Sequence, residues 1–352
     1  MPQKMPRSAP VRVARRLRTP AAINAAARLS PRRPTRGRPS KVNATESLIG
    51  LMLGTKAGEE TLEFCTRVVD CQTVANVSAA SGPPAAWPRQ LNFAGDSRMT
   101  QLLTDRVALV TGGCRGIGRA IVDCFAEHGA SGIAVDVVTE TTKCRLPPGF
   151  TAAAADVMEE GQIADVMAEA AKRFGRLDIV VANAGIVPPW HETAGLDLDE
   201  WDRVFAINAR GVAATIKHAV PLMSERGGAI VVTASVNALK PHARQLAYTA
   251  TKHATVGIIR CAALDLGRFN IRVNGLAPGP IATAALRERV RFRSTIGGPP
   301  EDAALRALAE ETPLGRIATE HEVAKVALFL ASDLASAITG HLLPVDAGLS
   351  SS

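Results

Sequence analysis

Tyr248 is the only tyrosine in 352 residues, and Lys252 follows it by four. Positions i and i+4 share one face of a helix, so a helix over "YTATK" (248–252) sets a phenol beside an ammonium. That pair is either a proton-transfer device or an ordinary surface contact. The neighbouring chain must decide between them.

A second cluster is "TGGCRGIG" (111–118). Gly112, Gly116 and Gly118 follow the spacing G-x-x-x-G-x-G. They join an apolar run, "RVALVTGG" (106–113), to a helical pattern, "GRAIVDCFAEHGA" (118–130). Glycines there let the main chain turn tightly and approach a pyrophosphate. The helix N terminus adds free N–H groups and the positive end of its dipole. Asp136 lies 18 residues beyond Gly118, at the end of "GIAVD" (132–136). A carboxylate there accepts hydrogen bonds from the adenosine ribose and repels a 2′-phosphate. Arg115 argues the other way, because a guanidinium in the glycine loop pairs with a 2′-phosphate. A carboxylate at the ribose outweighs a more distant arginine, so NAD is expected over NADP.

The elements that position these residues are legible from period and punctuation. Strands are expected at 106–113, 132–136, 150–156, 177–185, 228–235, 271–279 and 341–348. Helices are expected at 118–130, 160–175, near 200–225, around 246–267 and at 320–332. Strands apolar on both faces, alternating with helices, predict a mostly parallel sheet covered on both sides. The fold class is α/β: one doubly wound Rossmann-type domain over 99–352.

Composition narrows the function. Residues 1–98 carry 16 Lys and Arg against 6 Asp and Glu, and 99–352 carry 25 against 27. The overall +8 therefore belongs to the first segment, and the near-neutral body gives no reason to expect nucleic-acid binding. "LRERVRFRS" (286–294) reads as a solvated helix face. The six cysteines show neither C-x-x-C nor zinc-ligand spacing. His191, His242 and His253 lack metal spacing and read as surface or substrate-loop residues. No metal is expected. Scattered thiols fit a reducing compartment, hence the cytoplasm. No apolar run approaches the ~18 residues of a transmembrane helix.

The chain resembles the short-chain dehydrogenase/reductase family in its common single-domain branch. The resemblance covers about 104–349. It rests on "TGGCRGIG", Asp156 in "AADV", "ANAG" (182–185), Asn208 in "FAINARG", Ser235 in "VVTAS", "YTATK" and "RVNGLAPGPIAT" (272–283), all in order. It implies an oxidoreductase that interconverts a secondary alcohol and a ketone with NAD(H). Tyr248 would be the general acid/base, with Lys252 as electrostatic partner and holder of the nicotinamide ribose. The Lys252 ammonium is expected to lower the phenol pKa. Ser235 would hold the substrate oxygen, and Asn208 would anchor a proton-relay water. Gly112, Arg115, Gly116, Ile117 and Gly118 would take the pyrophosphate side of the cofactor, with Asp136 on the ribose. Asp156, beside Val157, would cap the adenine. Asn183, Ala184 and Gly185 would line the cleft. Pro278, Gly279, Ile281 and Thr283 would close its nicotinamide end, Thr283 at the carboxamide. The family commonly forms tetramers, so a homotetramer is expected.

Two rivals stand beside this reading. One is an NADPH-dependent 3-oxoacyl thioester reductase, which Arg115 favours. The other is a non-catalytic dinucleotide-sensing scaffold, which retention of both Tyr248 and Lys252 disfavours. Substrate identity is expected in the loops around 186–196, 236–246 and 280–312. Residues 1–45 contain no acidic residue, and their composition predicts disorder; "SGPPAAWPRQ" (81–90) reads as a linker. For 1–98 three readings remain: an organelle-targeting extension, a basic tail for anionic partners, or translated sequence upstream of a true start at Met99. The third is the expectation.

Overall fold

The computed structural model describes residues 101–351. The expectations for 1–98, from the basic extension to the linker at 81–90, lie outside them. β1 (Val107–Thr111) is buried at all five positions, as a strand covered on both faces must be. It heads a seven-stranded sheet with β2 (Ser131–Asp136), β3 (Phe150–Ala154), β4 (Ile179–Ala182), β5 (Gly228–Thr233), β6 (Ile271–Pro278) and β7 (Leu342–Val345). The order is β3-β2-β1-β4-β5-β6-β7, and every pairing is parallel.

Side chains alternate across the sheet with period two. Val107, Leu109, Val135, Ile230 and Val232 pack under α3 (Glu160–Phe174), α5 (Gly211–Met223) and α6 (Leu246–Leu266). Ala108, Val110, Ala134, Val181 and Val231 pack under α1 (Gly116–Glu127) and α9 (Glu320–Ala331). α2 (Val138–Thr141), α4 (Leu198–Phe205), α7 (Ala284–Thr295) and α8 (Glu301–Glu310) complete the helices. Gly175 ends α3 in the left-handed region at φ 65°. Thr319 and Glu322 form a capping box at the start of α9. Arg272 of β6 donates to the Leu330 and Ser332 carbonyls at its end, at 2.7 and 3.0 Å.

Strand order reverses between β1 and β4, which opens a crevice at the carboxyl ends of these strands. Several boundaries differ from expectation. β4 stops at Ala182 because Asn183 N turns back to the Val181 carbonyl at 3.1 Å. The long helix near 200–225 is broken into α4 and α5 by a π turn at Ala206–Arg210. The region 280–312, expected as a substrate loop with a helix face at 286–294, contains α7 and α8. Leu286 and Val290, one turn apart, are the buried residues of α7.

Candidate active site

The glycine loop leaves β1 and enters α1. Gly116 has φ 55°, a conformation suited to glycine. A Cβ on Gly118 would fall onto the Gly112 carbonyl oxygen, so the loop closes this tightly only with glycine there. The α1 N-cap is Arg115, which makes no side-chain cap bond, and the first turn holds no acidic residue. The first N–H groups of α1 are therefore available to an anion.

Asn183 ties this loop to the rest of the site. Its Nδ2 donates to the carbonyls of Thr111 and Gly112 at 3.0 and 3.2 Å. Its Oδ1 accepts from the Thr233 hydroxyl at 3.1 Å. The Thr111 hydroxyl accepts from the main-chain N–H groups of Asn183 and Ala184 at 3.0 and 3.1 Å. Asn183 is thus a brace between β1, β4 and β5.

At the end of β2, Asp136 is 9% exposed. Its two oxygens accept from Cys114 N at 3.1 Å and Val137 N at 2.9 Å. Arg115 turns to Glu140 of α2, with Nε 3.7 Å from Oε2. Asp156 follows β3 and folds its Oδ1 onto Met158 N at 2.9 Å. The Val157 side chain is buried in the core, and a Cβ on Gly211 would sit 3.0 Å from it. Ile117 packs, partly buried, on the other core face.

Ser235, 6% exposed, follows β5. Its oxygen accepts from Asn237 N at 3.2 Å. Asn237 also donates to Gln245 and Thr249, at 2.9 and 3.2 Å, which holds the 236–246 segment on α6. Tyr248 and Lys252 share one face of α6, as the spacing predicts. The Lys252 ammonium donates to the Thr233 carbonyl at 2.8 Å and stands 5.6 Å from the centre of the Tyr248 ring. Burial lowers its pKa to about 8. A Cβ on Gly185 would lie 3.7 Å from that ammonium.

The expected drop in the phenol pKa is not what these surroundings produce. Burial raises the Tyr248 pKa, opposed by a hydrogen bond with Ser235 and by the charge of Arg289. The cation that acts on the phenol is therefore on α7, in the segment read as a solvated face. Lys252 is directed at the end of β5 instead.

Asn208 sits in the π turn, fully buried. Its Oδ1 accepts from Ile186 N at 2.9 Å. Its Nδ2 donates to the Ile186 carbonyl at 2.9 Å and to Thr251 Oγ1 at 3.2 Å. Thr251 in turn donates to the Tyr248 carbonyl at 2.7 Å. The π turn thereby locks the 182–186 segment to the helix that carries the tyrosine, a recurrent use of such turns.

The cleft closes on β6 and α7. Gly279 follows Pro278 and approaches Asp346, whose Cβ would lie 2.8 Å from a Cβ on the glycine. Ile281 is buried and bridges to Ala318. Thr283 caps α7, its oxygen accepting from Leu286 N at 3.1 Å. Its methyl lies 3.9 Å from the place of a Cβ on Gly116. Two of the expected substrate segments meet where His191 N donates to the Arg244 carbonyl at 3.1 Å. Arg244 pairs with Glu192 at 2.7 Å. Thr111, Glu140, Thr233, Asn237, Thr251 and Arg289 were not singled out from the sequence. The threonines stand inside or beside quoted motifs, which is their one signal.

A cavity of about 570 Å³ lies apart from this site, between α6 and β7, lined by residues such as Ala238, His253, Arg260 and His341. The chemistry-bearing residues are in the cleft at the strand ends, and the functional reading follows them.

Known proteins resemble the chain over its described residues. A family model described as enoyl-(acyl carrier protein) reductase matches residues 112–350. Short-chain dehydrogenase reductase 3b of Arabidopsis thaliana is 36% identical over 254 residues, 70% of this chain and 96% of that protein. Cis-4-hydroxycyclohexanecarboxylate dehydrogenase of Sinomonas cyclohexanicum is 38% identical over 257 residues, 71% of this chain and 98% of that protein. The crystal structure of carveol dehydrogenase from Mycobacterium avium in complex with NAD matches with a TM-score of 0.65 at 30% identity, covering 71% of this chain and 99% of that one.

Proposed function

The chain belongs to the short-chain dehydrogenase/reductase family, and from that premise we propose that this oxidoreductase interconverts a secondary alcohol and a ketone with NAD(H). The observation that carries the reading is the convergence of Tyr248, Ser235 and Lys252 at the strand ends, braced through Thr233 and Asn183 to the glycine loop. The open α1 N terminus fits a pyrophosphate, and Asp136 fits a ribose diol. When bound, the dinucleotide supplies or accepts a hydride at the nicotinamide ring.

The chain's own residues manage the proton. In alcohol oxidation the Tyr248 phenolate takes the hydroxyl proton, and in ketone reduction the phenol gives it back. Ser235 holds the substrate oxygen beside it. Two groups favour the phenolate against burial: the Ser235 hydroxyl and the Arg289 guanidinium. Lys252 keeps N–H directions beyond its bond to Thr233 for the nicotinamide ribose. The side-chain polar atoms of Asn208 are committed to Ile186 and Thr251, so the relay water is assigned to its main-chain carbonyl.

NAD is assigned over NADP. Asp136 repels a 2′-phosphate, and Arg115, the residue favouring the thioester reductase reading, is engaged by Glu140. Asp156 is placed at the adenine, Thr283 at the carboxamide. A homotetramer is assigned by family, with support from apolar residues left outside, such as Leu264 on α6, 84% exposed. The cytoplasm is assigned on the scattered thiols.

A panel of secondary alcohols assayed with NAD and NADP, following reduced-nicotinamide absorbance, tests the activity. Tyr248→Phe should bind the dinucleotide as wild type does and lose about 10³-fold in kcat. Near-wild-type kcat in that variant would remove Tyr248 from proton transfer.

A further inference from the structure

α7 carries arginines at 287, 289, 291 and 293. Residues two apart on a helix point about 200° apart, so these side chains divide between opposite faces. Arg287 and Arg291 share one face, and both pair with Glu301 of α8, at 2.9 and 3.1 Å. Arg289 and Arg293 share the other face. The Arg293 guanidinium lies 4.3 Å from the centre of the Trp190 ring, in the segment after β4. Its Nε donates to the Arg289 carbonyl at 3.4 Å.

Arg289 is half-buried. Among the described residues its side chain makes no hydrogen bond and no ion pair. Its neighbour Glu288 is exposed; the Glu288 charge acts on Arg289, but the two form no ion pair. α7 is capped at its start by Thr283, whose methyl lies 3.9 Å from the place of a Cβ on Gly116. The face that Arg289 shares with Arg293 meets Trp190, so this face is turned to the cleft; the Arg289 charge also acts on the Tyr248 phenol. A half-buried guanidinium without an acceptor is unfavourable, and its planar fork suits a carboxylate. The other anion at hand is the dinucleotide's pyrophosphate. The α1 N terminus already provides for it.

Resting on the assignment of Tyr248 as proton-transfer group, we propose that Arg289 is a specificity-determining residue and that the substrate is a secondary alcohol or ketone bearing a carboxylate, which the Arg289 guanidinium holds. Arg293 on Trp190 forms the adjoining wall.

The test compares 4-oxocyclohexanecarboxylate with its methyl ester as substrates, in the wild-type full chain and in Arg289→Met and Arg289→Lys. Wild type should prefer the acid in kcat/KM by about 10- to 100-fold, the range of a charged hydrogen-bonded pair. Arg289→Met should abolish that preference mainly through KM, and Arg289→Lys should restore part of it. NAD affinity should change less than twofold. Equal use of acid and ester by the wild type would overturn the proposal. So would a preference that survives in Arg289→Met, or a variant whose main defect is NAD binding. Calorimetric titration of the NAD-saturated protein with cyclohexanecarboxylate and cyclohexanecarboxamide decides the arginine without turnover. Tighter binding of the acid, lost in Arg289→Met, supports the proposal, and equal binding or none overturns it. If neither ketone is turned over but the acid binds through Arg289, the anion site stands and the failure lies with this ring ketone as the reacting group.

Discussion

Lys252 is 4% exposed, and the protein acceptor of its ammonium is one carbonyl, that of Thr233 at 2.8 Å. Burial lowers its pKa from 10.5 to about 8. A depressed lysine pKa means that the unfolded chain binds the proton more tightly between those values, so stability rises with pH there and is lost again as pH falls through 8. The window closes near pH 10, where the unfolded phenol ionises while burial keeps the folded Tyr248 protonated. Between pH 8 and pH 10 the wild type should therefore gain about 2 kcal/mol relative to Lys252→Met, read from urea melts of both proteins at the two pH values. Parallel pH dependence in the two would mean that the ammonium is not desolvated. At this scale the sequence was informative where residue type is rare. A single tyrosine, a lysine one turn on and a serine 13 residues earlier all reach the site. Arg289 was not legible, because four alternating arginines look alike until Glu301 is seen to hold two of them.

Among the elements, β2 and the glycine loop are joined by the Asp136 carboxylate, which accepts from Cys114 N at 3.1 Å. Asp136 thus shapes the loop, and in the proposed function it also presents charge to the ribose. Asp136→Asn keeps an oxygen for Cys114 and removes the charge, so the NADP-to-NAD ratio of kcat/KM should rise about tenfold, as for ~1.4 kcal/mol of relieved repulsion. Asp136→Ala should show the same relaxation and also weaker binding of both cofactors, because Cys114 N loses its acceptor. A wild type that already prefers NADP would sink the assignment. Strands were legible where apolar residues run unbroken, as in "VALVT". The π turn was not, because no residue type marks an extra residue in a helical turn. Asn208 was visible as a candidate, but its partners, Ile186 and Thr251, lie 22 and 43 residues away.

Across the molecule, the site draws on the carboxyl ends of β1, β2, β4, β5 and β6 and on α1, α6 and α7. All of these lie within 101–351, and so does every residue to which a catalytic or cofactor role is assigned above. The relatives agree in extent: the Sinomonas dehydrogenase is covered over 98% of its length by 71% of this chain. The charge divides at the same place, with 16 basic against 6 acidic residues in 1–98 and near balance afterwards. Basic residues in 1–98 would add long-range attraction for anions, an effect screened within about 8 Å at physiological salt. We therefore expect a chain beginning at Met99 to fold and to keep the kcat/KM of the full chain within about twofold at 0.15 M salt. At 0.01 M salt, where screening reaches about 30 Å, the full chain should bind anionic surfaces such as heparin resin more strongly than the shorter chain. Thermal melting and steady-state kinetics on the two forms check this. A shorter chain that is insoluble, or that loses most of its activity, would show that residues before Met99 belong to the folded enzyme.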